Sequence, residues 1–333
     1  MASPVRVLVT GSSGHLGAAL VLHLQSLAYD VVGVDLLPSS TTHAQGDITS
    51  IPFLRTVFEA RRPTHILHTA TLHKPHVESH SVSSFVATNV QGTVNLLELA
   101  VEYGVQAFIF TSTTSTFGKA LQPAEKGGPT VWIDETVIPI PKNIYGVTKV
   151  CAEDICALFH AKHGLPILIL RTSRFFPEQD DTEAIRNAFE DDNIKVNELS
   201  YRRVDLYDVA TAHVCAMERA TELKWGRYII SAPTPFSSLQ ETLVELGKDA
   251  PTVLETLVPF QTVYSSRKWK FFGALDRVYD SSKAIADLGW KPVYTFARAV
   301  DHVAQAKEWR SPLSIVVGKR GYHAETTGVY TVR

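Results

Sequence analysis

Residues 8–17 read LVTGSSGHLG, with Gly11, Gly14 and Gly17 spaced three apart directly behind a short apolar run. Few backbone paths need three glycines at that interval. In such a series the first glycine permits a tight turn off a strand and the second lets backbone approach a phosphate. The third lets the following helix pack close to the strand. Amides at the helix start then face the phosphates. A glycine-rich turn without a ligand is the plainer reading, so the surrounding chain has to decide.

Short β-branched runs alternate with helical patterns on both sides of this turn. Strands are expected at 5–10, 31–35, 64–70, 106–113 and 165–173, and helices at 15–28, 50–61, 83–104 and 144–164. That alternation predicts a doubly wound parallel α/β (Rossmann) sheet with helices on both faces. Beyond residue 174 the pattern is less regular, with short helical stretches at 207–221, 237–247 and 281–287. The expected organisation is a dinucleotide-binding unit over 1–173. A smaller C-terminal α/β substrate unit then covers 174–333, with some segments returning to the sheet.

Asp35 ends the second expected strand, 24 residues after Gly11. A carboxylate there accepts from a ribose 2′-OH and repels a 2′-phosphate, and 36–43 contains no Arg or Lys, so NAD is expected rather than NADP. Tyr145 and Lys149 stand four apart in YGVTK at a helix start and share one face. An ammonium beside the phenol is expected to lower its pKa toward that of a working acid–base group. Ser112, Thr113 and Thr114 fall at a strand end, where a hydroxyl can hold a substrate oxygen.

With these residues in place, the chain resembles the extended short-chain dehydrogenase/reductases, the NAD-dependent epimerase/dehydratase family. TGSSGHLG is similar to the family's TGxxGxxG, GDI (46–48) to its adenine-contacting Asp motif, and HTAT (68–71) to its HxAA strand end. NVQGTVNLLELA (89–100) resembles its NxxGTxNLLEAA helix, and FTSTTSTFG (110–118) stands at its serine element. VDLYDVA (204–210) and LGWKP (288–292) resemble later motifs. The resemblance implies catalysis by Thr113, Tyr145 and Lys149. It implies NAD contacts from Gly11, Ser13, Gly14, His15, Leu16, Gly17, Asp35, Asp47, Ile48, Thr69, Ala70, Thr71, Asn89, Thr111, Tyr145 and Lys149. Substrate contacts are expected from Ser112, Thr113, Thr114, His73, Arg174 and Arg203. The implied chemistry is hydride transfer at a secondary alcohol carbon while Tyr145 takes the alcohol proton.

Two departures shape the substrate reading. Thr114-Ser115 stands where sugar dehydratases carry an acidic pair, so 4,6-dehydration is not expected. Arg174 replaces the Asn of the family's LRxxN element. With Arg202 and Arg203 it suits an anionic substrate, through bidentate recognition. An epimerase of a sugar or nucleotide sugar is the first reading. A net dehydrogenase of a hydroxy or amino acid, resembling short-chain threonine dehydrogenases, and a non-catalytic NAD-binding sensor are the alternatives.

Composition removes other classes. A formal charge of −2 gives no reason to expect nucleic acid or an anionic membrane as partner. No 18-residue apolar run or secretory leader is seen, and three scattered cysteines without a CxxC fit a reducing, cytoplasmic setting. His68, His73, His76 and His80 are read as loop and active-site neighbours, with no metal expected. Asp180, Asp181 and 190–193 read as solvated surface, and Cys151 and Cys156 as small core residues. The helices 83–104 and 145–163 are apolar on more than one side, and in the family they form a homodimer seam.

Overall fold

The computed structural model describes residues 4–125 and 127–320. In chain order its strands are β1 (Arg6–Thr10), β2 (Asp30–Asp35), β3 (Ala44–Gln45), β4 (His65–His68), β5 (Ala107–Thr113), β6 (Val131–Ile133), β7 (Ile167–Thr172), β8 (Trp225–Ile230) and β9 (Arg277–Tyr279). Seven of them make one parallel sheet in the order β3-β2-β1-β4-β5-β7-β8, while β6 and β9 form a separate parallel pair. Strand order reverses between β1 and β4, which opens a crevice at their carboxyl ends, where open α/β sheets take their ligands.

The first helices are α1 (His15–Ser26), α2 (Ile51–Arg61), α3 (Val82–Phe85), α4 (Gly92–Glu102) and α5 (Ile144–His163). Then come α6 (Glu183–Ala188), α7 (Asp191–Leu199), α8 (Leu206–Leu223), α9 (Gln240–Leu257), α10 (Gln261–Arg267), α11 (Ser282–Leu288), α12 (Phe296–Ala304) and α13 (Pro312–Val317). One sheet face is covered by α1, α8, α11 and α13, and the other by α2, α4 and α5. A second lobe gathers α7, α9, α10 and α12 around Phe260, Phe271 and Phe296. The chain passes repeatedly between the two: β6 belongs with β9, whereas α8 and β8 rejoin the main sheet after α7.

Local chemistry sets the element ends. Asn143 caps α5 by accepting from the Gly146 amide, and Gly164 ends the helix at φ +67°. VDLYDVA and LGWKP meet across the fold: the Asp208 carboxylate accepts from the Val293 and Tyr294 amides, and the Trp290 indole donates to the Asp208 carbonyl. Two expectations change. The single helix expected over 83–104 is broken by a π-helical turn at Val86–Gln91, and the helix expected over 237–247 runs as α9 to Leu257, through a non-helical Asp249 just before Pro251. No helix of the described residues is long and apolar enough to cross a membrane.

Candidate active site

A cleft of about 1070 Å³ runs from the glycine turn, past the ends of β4 and β5, to the second lobe. Gly11 sits at φ +72°, and a Cβ there would lie 2.7 Å from the Ala70 amide nitrogen. A Cβ on Gly17 would lie 1.9 Å from the Gly11 carbonyl oxygen. Both positions therefore admit only glycine. No side chain caps the α1 N-terminus, so its first amides remain available to an anion. The Ser13 amide donates to Asp35 Oδ2 (2.9 Å) and the Leu37 amide to Oδ1 (2.9 Å), which fixes the carboxylate at the tip of β2. The Ser13 hydroxyl is buried without a hydrogen-bond partner. An uncapped helix start, a glycine cradle, an orphaned hydroxyl and a fixed carboxylate together fit a dinucleotide.

Gly14, His15, Leu16, Asp47, Ile48, Thr69, Ala70 and Thr71 line the same part of the cleft. Thr69 donates to the Thr10 carbonyl and the Ala70 amide to the Thr10 hydroxyl, which ties the β4 exit to β1. His15 is pushed down to about 3 by burial, with Arg320 adding to the shift, so it is neutral and accepts from the Arg320 amide. Asn89 is placed differently from its expected cofactor contact. It lies off the cleft on the π turn, where it accepts from Thr71 and the Leu72 amide and donates to the Leu72 carbonyl and Thr148. The turn's extra residue lets this side chain hold the cleft loop against α5.

Thr111, Ser112, Thr113 and Thr114 leave β5 along the cleft wall, and Tyr145 and Lys149 face them from α5. The Thr111 hydroxyl is engaged with His213 on the sheet's other face. Ser112 donates to Glu153 (2.5 Å), which also accepts from Arg171 (2.7 Å). Sequence reasoning misses Glu153, although its place one turn beyond Lys149 on the same helix face is visible in the spacing.

The expected activation of the phenol is not what the buried pair shows. Burial pushes the Tyr145 pKa up to about 12, and the hydrogen bond with Thr113 opposes that only in part. Burial also pushes Lys149 down to about 7, with Glu153 and then Cys156 opposing. The Lys149 ammonium lies 4.3 Å from the Phe110 ring centroid. Both groups are buried, and the loss of water is the largest cause of each shift.

On the second-lobe side, His73 and Arg174 line the cleft and Arg203 does not; Arg202, Arg277 and Tyr279 do. Arg203 is buried, donating to Glu198 and the Phe176 carbonyl. Glu198 lies beneath all three expected arginines, 3.2 Å from Arg174, 2.7 Å from Arg202 and 2.8 Å from Arg203. Burial raises its pKa, but Arg202, Arg203 and Arg174 together hold it well below the usual carboxylate range. Asp180 is buried rather than solvated, 2.5 Å from Arg174 and 3.7 Å from Arg202, and Asp181 pairs with Arg174 and Lys74. His73 stacks on Phe176 at 5.3 Å. His68 is a core residue between Thr10 and Thr93. Cys151 is exposed, unlike the buried Cys156. Among the described residues no three His, Cys, Asp or Glu side chains converge as metal ligands.

A model of the NAD dependent epimerase/dehydratase family matches residues 7–230. The chain is 26% identical to the UDP-glucose 4-epimerase of Rhizobium meliloti (strain 1021), over 92% of this chain and 97% of that protein. Among solved structures it is similar to the UDP-glucose 4-epimerase of Thermotoga maritima with UDP-glucose (TM-score 0.62, 23% identity, 90% of this chain and 98% of that one). It is also similar to the UDP-glucose 4-epimerase of Thermus thermophilus in complex with NAD (TM-score 0.60, 22% identity, 91% and 100%).

Proposed function

The chain belongs to the NAD dependent epimerase/dehydratase family, and on that premise we propose that it is an NAD-dependent epimerase of a nucleotide sugar. One observation carries this reading: Thr113, Tyr145 and Lys149 meet in one cleft with the glycine turn and Asp35. The full-length likeness to a UDP-glucose 4-epimerase supports the substrate class.

Gly11, Gly14, Gly17 and the α1 amides would hold the pyrophosphate of NAD, and Asp35 the adenine ribose. When bound, the cofactor supplies the hydride acceptor and, on the other face of the sugar, the donor. Tyr145 acts in its phenolate form, accepting the alcohol proton at the phenolic oxygen and returning it in the reverse step. Thr113, bonded to that phenol, orients it toward the substrate oxygen. In its protonated form, which burial makes harder to keep, Lys149 supplies the positive charge that the phenolate needs.

We further read the enzyme as a cytoplasmic homodimer. Val82 and Val86 are exposed on segments that pack against α5, and Val147 and Leu158 are exposed on α5 itself; such apolar side chains suit a second copy. Tyr145→Phe is expected to cut the interconversion of UDP-glucose and UDP-galactose by at least about a thousandfold. The NAD dissociation constant of the variant stays within about twofold, because the lost hydroxyl serves proton transfer. Full turnover in the variant, or NADH accumulating mole for mole with substrate consumed by the parent, would overturn the reading.

A further inference from the structure

Three arginines gather where the substrate's charged end would lie, yet each already has an internal carboxylate partner. Glu198, on α7, is completely buried beneath them and does not line the cleft. Asp180 is placed differently. It lies on the connection between β7 and α6, lines the cleft, and meets Arg174 at 2.5 Å and Arg202 at 3.7 Å from the cleft side. Its other carboxylate oxygen accepts from the Thr182 amide at 2.8 Å, and its carbonyl accepts from Arg186. The Arg202 Nε is buried with no hydrogen-bond partner. Glu198 thus serves as a fixed floor, whereas Asp180 closes the guanidinium edges that a ligand would have to reach.

We propose that Asp180 is a built-in counter-anion that seals the Arg174–Arg202 pair, and that the substrate's diphosphate binds by displacing it. The inference rests on the nucleotide-sugar reading. A ligand carboxylate would exchange one single charge for another and gain little. A diphosphate brings two charges and several acceptor oxygens, so it can engage both guanidinium forks at once. Asp180 therefore sets the charge threshold for entry and selects a diphosphate over a hydroxy or amino acid. It is a specificity-determining residue that works by competition.

The test is UDP binding by calorimetry, with NAD saturating so that the glycine turn is filled. Asp180→Asn keeps an oxygen for the Thr182 amide and removes the nearest cleft-side charge on Arg174, leaving Asp181 at 3.5 Å and Glu198 beneath. UDP is expected to bind this variant at least about tenfold more tightly than the parent. Equal or weaker binding would overturn the proposal and leave the nucleotide-sugar reading standing. No UDP binding by either protein would remove both. A second measurement needs no variant: in the parent, the Thr182 amide is expected to exchange its hydrogen faster once UDP is added, because its acceptor has been displaced. Slower exchange there would equally overturn the proposal.

Discussion

Lys149 shows how one residue's burden can be worked out from its surroundings. Its pKa, pushed down to about 7 from an ordinary 10.5, means that below about pH 7 the folded chain keeps an ammonium buried at full cost. Between about 7 and 10.5 the unfolded chain holds the proton and the folded one does not, so stability rises with pH through that window. Lys149→Met is therefore expected to be inactive yet more stable than the parent near about pH 6, by something on the order of 4 kcal/mol. The gain shrinks toward zero near about pH 10 and is read by urea unfolding at both values. A constant difference across that range would show that the lysine's packing, not its charge, was removed. At this scale the sequence was legible where function depends on spacing within one element: Tyr145 and Lys149 share a helix face because they stand four apart. It was illegible where partners are distant in the chain. Arg203 and Asp180 could not be assigned without knowing that Glu198 lies between the arginines, and the effect of burial on Tyr145 depends on neighbours that no motif records.

Among the elements, the glycine turn and α1 are the most strictly determined. Gly17→Ala would drive a methyl to 1.9 Å from the Gly11 carbonyl oxygen, so α1 must move off β1. The expected loss is about 2–4 kcal/mol of stability, with a matching fall in NAD affinity. Thermal unfolding with and without NAD measures both; a variant as stable as the parent would mean that the helix has room to shift. Strands β1, β2, β4, β5 and β7 were readable as apolar β-branched runs because both sheet faces are buried. The π turn at Val86–Gln91 was not, since one inserted residue leaves an apolar periodicity almost unchanged while redirecting Asn89 onto the cleft loop. Likewise α7 begins with Asp191 and Asp192, a composition typical of surface, yet buries Asn193 and Glu198.

For the molecule as a whole, the sheet order and the cleft's position follow from strand–helix alternation, whereas the second lobe follows from no periodic signal. It is assembled from pieces far apart in the chain, such as β6 pairing with β9. Oligomeric state belongs to this scale too. For the homodimer proposed above, Leu158→Asp on the exposed face of α5 is expected to give a monomer by sedimentation velocity, with little loss of monomer stability because the side chain is 59% exposed. An unchanged sedimentation coefficient would move the seam elsewhere. The repeated passage of the chain between sheet and lobe has a mechanical side as well. A body stitched to its neighbour by many strands of backbone has no single pivot about which to swing. On the displacement proposed above, a ligand is admitted by local yielding at the rim of the cleft, where Asp180 lies.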